Sequence, residues 1–204
     1  DGRAYELDMR LRPSGNAGVM VVSVNAFEHY QKDKAWAWEH QALVRARGIC
    51  GDRAVIDYFD SVRLSVLTAQ RQLHDIKAEV LEMREKMKTH LSQHQQDKFH
   101  LKQDAGGLVD IEFMAQFAVL GFAHQYPELA KWSDNVRIFE TVAQTNLWSG
   151  EVCQTLTQAY LDIRKATHIQ ALNEQKSVVD NAPWQAVRQK VQAIWQQVFE
   201  LPSK

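Results

Sequence analysis

The sequence predicts a mainly α protein, a helical bundle preceded by a short β segment, and three observations carry that expectation. Nine glycines and four prolines in 204 residues amount to about half the usual share of chain breakers. Residues 52–105 contain neither. Strict period-two alternation of apolar and charged residues, the mark of a strand, is confined to the start of the chain. Apolar residues at 45% and charged residues at 24% are close to the soluble globular norm, which excludes a disordered chain.

The elements follow in order. In Tyr5-Glu6-Leu7-Asp8-Met9-Arg10-Leu11-Arg12 the apolar residues share one face and the charged residues the other, as a strand requires. Pro13-Ser14-Gly15-Asn16-Ala17-Gly18 is a turn cluster, and Val19–Val22 reads as a short second strand. Ala35–Arg47 is the clearest helix of the region that follows. Val55, Phe59, Val62 and Val66 mark another helix. Leu73, Ile76, Val80, Met83, Met87 and Leu91 mark a third, with Glu82 and Lys86 spaced to pair. Residues 92–105 are polar and read as a loop or small hairpin. Leu108–Ala123 is apolar almost all round, so it is expected at the centre of the bundle. Ser133-Asp134 caps a helix to about Thr145, and Ser149 one to about Leu172. Asn181-Ala182-Pro183 opens the last helix, which carries Val187, Val191, Ile194 and Val198. Residues 173–182 and 201–204 read as the flexible points.

Several function classes are excluded or narrowed by composition. Lys and Arg total 24 against 25 Asp and Glu, with no quarter of the chain far from balance, so no basic face for nucleic acid is expected. No apolar run has the roughly 20 residues of a membrane span. Cys50 and Cys153 stand far apart and read as buried thiols of a reducing cytosol. The chain opens on Asp1 directly into a strand pattern, and reads as a piece of something larger.

Chemistry is expected at two places. Glu6, Asp8, Arg10 and Arg12 on one strand face form either a solvated sheet surface or a site where Asp8 binds a divalent metal and the arginines hold phosphate oxygens. The second place is Lys102-Gln103-Asp104-Ala105-Gly106-Gly107, which enters the apolar helix either as a tight turn or as a cradle of free N–H groups for an anion. Asp110 and Glu112 would be costly unpaired in so apolar a helix, so each is expected to meet an arginine or a backbone N–H. Trp36 and Trp38 read as core residues rather than stacking platforms. Arg45 and Arg47 suit a phosphate or a structural carboxylate equally.

Five blocks carry a resemblance: Y-E-L-D-M-R-L-R-P-S-G (5–15), A-W-A-W-E-H-Q-A-L-V-R-A-R (35–47), M-R-E-K-M (83–87), F-H-L-K-Q-D-A-G-G-L-V-D-I-E-F (99–113) and W-S-D-N-V-R-I (132–138). Together, in this order, they resemble the glutamine synthetase adenylyltransferases, and the second and third resemble the C-terminal, adenylylating half. The resemblance implies a cytoplasmic enzyme that transfers AMP from ATP to a tyrosine of glutamine synthetase. Residues 1–51 would be the end of a truncated nucleotidyltransferase domain, and 52–204 a helical domain similar to that of PII-uridylyltransferase. It implies Mg²⁺ held by three carboxylates, of which Asp8 occupies the third position and the other two, in a G-S…D-x-D segment, are absent from this chain. Asp8 is thereby the implied catalytic and metal residue. Arg10, Arg12, Lys102, Gly106 and Gly107 are the implied nucleotide or phosphate contacts. Partners implied are glutamine synthetase, the PII signal protein, ATP and glutamine as an effector. A different class of function, a helical module docking glutamine synthetase or the PII protein, is the alternative.

Overall fold

The computed structural model describes residues 8–9, 12–91 and 97–199. Eight α-helices make up most of it: α1 (Val24–Asp33), α2 (Ala37–Arg45), α3 (Arg53–Leu67), α4 (Leu73–Leu91), α5 (Leu108–Phe122), α6 (Asn135–Gln144), α7 (Gly150–Leu172) and α8 (Gln185–Phe199). Two three-residue strands, β1 (Lys98–His100) and β2 (Val178–Asp180), pair antiparallel. The mainly α expectation holds.

Caps set the starts of the helices. Asp52 accepts from the Ala54 amide at 2.8 Å and opens α3. Asp134 and Ser149 do the same for α6 and α7, as their positions in the sequence predict. α5 is the hub: α2, α4, α6, α7 and α8 all pack on it. Ile111, Met114, Ala115, Ala118 and Val119 are fully buried. No residue of α5 is exposed, which is why its sequence lacks a polar face.

The structure departs from the sequence reading in five ways. Val19–Val22 is not a strand. No described segment pairs with it, and Met20 and Val21 are 66% and 85% exposed. A strand without a neighbour has no ladder to hold it. Most of the expected strand 5–12 lies outside the described residues, and Asp8 and Met9 are irregular. Of the stretch 92–105 before α5, read as a loop or small hairpin, residues 92–96 lie outside the described residues and the rest carries a strand. Its strand β1 pairs with β2, inside the stretch 173–182 expected to be flexible, with Phe99 opposite Val179. Phe99 is buried against Trp184, and this anchor outweighs the polar character of its neighbours. On α4 the buried seam runs Ile76, Val80, Arg84 rather than on to Met83, following the i,i+4 spacing of a straight helix. Trp36, at the N-cap of α2, is 71% exposed, and Trp38 is also exposed, so neither is a core residue.

Of the two thiols, Cys153 is buried and its titration is pushed up to about 11 by desolvation, whereas Cys50 is exposed. No helix among the described residues is long and apolar enough to cross a membrane.

Gly106 shows why the turn into α5 needs glycine. Its φ of +79° suits no other residue well, and a Cβ there would stand 2.7 Å from the Arg188 carbonyl oxygen on α8. Gly106→Ala is expected to cost about 2 kcal/mol or more in urea denaturation. Gly150→Ala, with nothing within 4 Å of the new methyl, is expected to be neutral or to stabilise by about 0.5 kcal/mol.

Candidate functional site

The turn after Asp8 is built by Arg12. Its Nη1 donates to the Met9 carbonyl at 2.8 Å, its Nε to Gly18 at 3.1 Å and its Nη2 to Asn16 at 3.4 Å. The guanidinium thus holds the segment that carries Asp8. Ser14, at φ 61°, sends its amide to the Tyr30 hydroxyl at 3.0 Å. Tyr30 donates in turn to Glu39 Oε1 at 2.6 Å, and Glu39 Oε2 accepts from the Trp36 amide. A relay through α1 therefore seats the turn on the start of α2. Asp8 is exposed, and Arg10 lies outside the described residues. Among the described residues, no group of three or more His, Cys, Asp or Glu side chains is placed to hold a metal ion.

Lys102, Gly106 and Gly107 belong to a different neighbourhood, bounded by α4, α5 and α8. The amides at the start of α5 are already spent. Gly107 donates to Asp104, Leu108 to Leu101 and Val109 to Lys102, at 2.9, 2.9 and 3.1 Å. Gly106 donates to Asp110 Oδ2 at 2.7 Å. The anion that a helix N-terminus favours is here the protein's own Asp110. From the other side Arg188 and Gln192 of α8 donate to the Ala105 carbonyl at 3.1 and 3.0 Å.

Asp110 also meets Arg84 of α4. Arg84 is 1% exposed; its Nε donates to Asp110 Oδ1 and its Nη2 to the Gln103 carbonyl at 2.7 Å. Both charges are buried, both are paired, and each makes a further backbone hydrogen bond, which is the condition under which such a pair is tolerated. A second buried arginine, Arg63 of α3, donates to the carbonyls of Leu43, Val44, Ala130 and Trp132. It fastens the end of α2 to the 3-10 turn Pro127–Ala130 and the residues after it.

Glu112, one helical step beyond Asp110, heads a half-buried polar cluster. Desolvation raises its carboxyl above the usual range, against the opposing pull of Arg45, Arg164, Lys102 and Asn135. Arg45 comes from the end of α2, Arg164 from α7 and Asn135 from the first position of α6. Arg164 is partly engaged, donating to the Tyr160 hydroxyl at 2.6 Å.

Residues 1–62 match the family model of glutamate-ammonia ligase adenylyltransferase, and residues 74–194 that of GlnD PII-uridylyltransferase. A bifunctional glutamine synthetase adenylyltransferase/adenylyl-removing enzyme of Acinetobacter baylyi is 50% identical over 204 residues, 98% of this chain. The chain belongs to the family of the PII-uridylyltransferase model, which spans more than half of it, and is a relative of the glutamine synthetase adenylyltransferases. It spans 22% of the length of that relative. Within the family chain, the segments that carried the sequence resemblance converge on one helix. Arg45, Arg84 and Asn135 each come from a different block, and they surround Asp110 and Glu112 of the block that forms α5. The expectation that each acid meets an arginine or a backbone N–H is met at Asp110, which has Arg84 and the Gly106 amide; Glu112 feels Arg45 only through its charge. Sequence reading did not find the Arg84 and Arg63 roles. The available signal was an arginine at i+4 from buried Val80, and one between buried Val62 and Val66.

Arg84→Met is expected to destabilise the chain by about 3–5 kcal/mol in urea, because it leaves Asp110 buried and charged. Arg84→Met with Asp110→Asn should recover part of that loss, since asparagine still accepts from Gly106.

Glu112 sets a pH dependence. The folded protein keeps the Glu112 proton to a higher pH than the unfolded chain does, so its stability falls as pH rises from the ordinary carboxylate value through the raised one. Urea titrations from about pH 4 to about pH 7 should show wild type losing stability relative to Glu112→Gln as pH increases.

Proposed function

We propose that this chain is the C-terminal, mainly helical part of an enzyme that transfers AMP from ATP to a tyrosine hydroxyl of glutamine synthetase. The relationship to the adenylyltransferases supports this reading, as does the turn built by Arg12, which presents Asp8 at an exposed position. In this reading Asp8 supplies one carboxylate to the catalytic centre. Mg²⁺ takes one or two carboxylates together with substrate phosphates, so Asp8 without phosphates does not hold it. The reading therefore assigns no metal step to these residues alone, and the isolated chain is inactive. When bound with ATP, Mg²⁺ would neutralise triphosphate charge. Asp8 would orient or deprotonate the attacking hydroxyl. Arg12 is a positioning residue for Asp8, because its three hydrogen bonds fix the backbone on both sides of the turn. Arg10 and Lys102 are assigned to phosphate or substrate. Gly106, by letting α8 approach, and Gly107, by letting the carbonyls of the 101–104 turn close in, shape the wall beside the nucleotide, their amides being occupied. Glutamine synthetase, ATP, the PII signal protein and glutamine are the partners and effectors of the whole enzyme in this reading, in the cytoplasm.

In the full-length protein, Asp8→Asn should abolish AMP transfer while leaving the melting temperature unchanged; near-normal transfer would sink the assignment. Calorimetry on the isolated chain should find no tight Mg-ATP binding. Micromolar, Mg-dependent affinity would contradict the division of the site between this chain and the rest of the enzyme.

A further inference from the structure

The Glu112 cluster has hydrogen-bonding capacity that the chain does not use. Asn135 is 0% exposed, yet neither its Nδ2 nor its Oδ1 has a hydrogen-bond partner among the described residues. Its side chain stands against Glu112 and lowers the pKa of that carboxyl. Arg45 Nη1 is buried and equally without a partner. A buried polar group left unsatisfied costs roughly 1–3 kcal/mol, and three such atoms converge where α2, α5 and α6 meet. Charge is also unbalanced there. Arg45, Arg164 and Lys102 act on a single carboxylate. Lys102 and Arg164 are exposed and mark the open side, whereas Arg45 and Asn135 form the closed end.

The unmet groups define what would fit. Arg45 Nη1 and Asn135 Nδ2 are donors and need an oxyanion. Asn135 Oδ1 and the Glu112 carboxylate are acceptors and need an O–H. The surplus of positive charge calls for a dianion. We propose that this cluster binds one monohydrogen phosphate ion, whose unprotonated oxygens accept from Arg45 and Asn135 and whose hydroxyl donates to Glu112. Sulfate has the same shape and charge but no proton, so it would set lone pairs against the Glu112 carboxylate. This site shares Lys102 with the transferase reading but does not depend on it.

Calorimetry of the 204-residue chain with potassium phosphate and potassium sulfate, at neutral pH and matched ionic strength, tests the proposal. Phosphate is expected to bind at one site about tenfold or more tightly than sulfate, given the cost of an opposed acceptor pair. Glu112→Gln, which offers an amide donor, should bring sulfate to within a few-fold of phosphate. The double variant Arg45→Met with Glu112→Gln leaves no unpaired carboxylate; once circular dichroism shows it helical, it should have lost binding of either ion. AMP, whose dianionic phosphoryl group carries no proton, should bind no better than sulfate. Equal affinity of wild type for the two ions, discrimination unchanged in Glu112→Gln, binding retained in the double variant, tighter binding of AMP, or no saturable binding would each overturn the proposal.

Discussion

The buried pair of Arg84 and Asp110 is the contact on which the arrangement of the helical body rests. It joins α4 to α5, and through its two outer hydrogen bonds it also fixes the Gln103 carbonyl and the Gly106 amide. Those two groups frame the turn that lets α5 begin. With the turn fixed, Ala105 presents its carbonyl to Arg188 and Gln192, and α8 closes over it. One charge pair thus orients three helices and a loop. Replacing both partners with apolar side chains of similar size need not lose stability, but it would remove this directional control.

Two further polar devices extend the same logic outward. Arg63 gathers four carbonyls from the end of α2 and from residues 130 and 132, places where helices and turns finish with acceptors unsatisfied. Tyr30 and Glu39 pass a chain of hydrogen bonds from the 12–18 turn to the start of α2. The turn that follows Asp8 and the helical body are therefore not loosely strung together. The position of Asp8 is coupled, through Met9, Arg12 and the Ser14 amide, to the helices that pack on α5.

Much of this was legible beforehand because it is local. The caps at Asp134 and Ser149 act within three residues, and the apolar wrap of α5 is a property of fifteen consecutive side chains. The pairing of Glu82 with Lys86 at 2.6 Å is likewise one helical turn. The candidate site was legible only in part. The Gly106-Gly107 turn reads from sequence as either a tight turn or an anion cradle, because nothing in it says that Asp110 turns back to take the Gly106 amide. Arg12 reads as a phosphate ligand, because its three acceptors are backbone carbonyls and carry no sequence signature.

The sequence by itself determined the helices, their order and the demand that the acids of α5 be paired, since periodicity, capping and the cost of a buried charge act along the chain or on single residues. Only the tertiary structure decided which partner meets which demand. Arg84 lies 26 residues from Asp110, and β1 finds its mate 80 residues further on, so these choices rest on how the helices stack. The exposed Val19–Val22 segment makes the same point in reverse. Its residues favour a strand, but a strand is a relation between segments, and among the described residues the second one is not there.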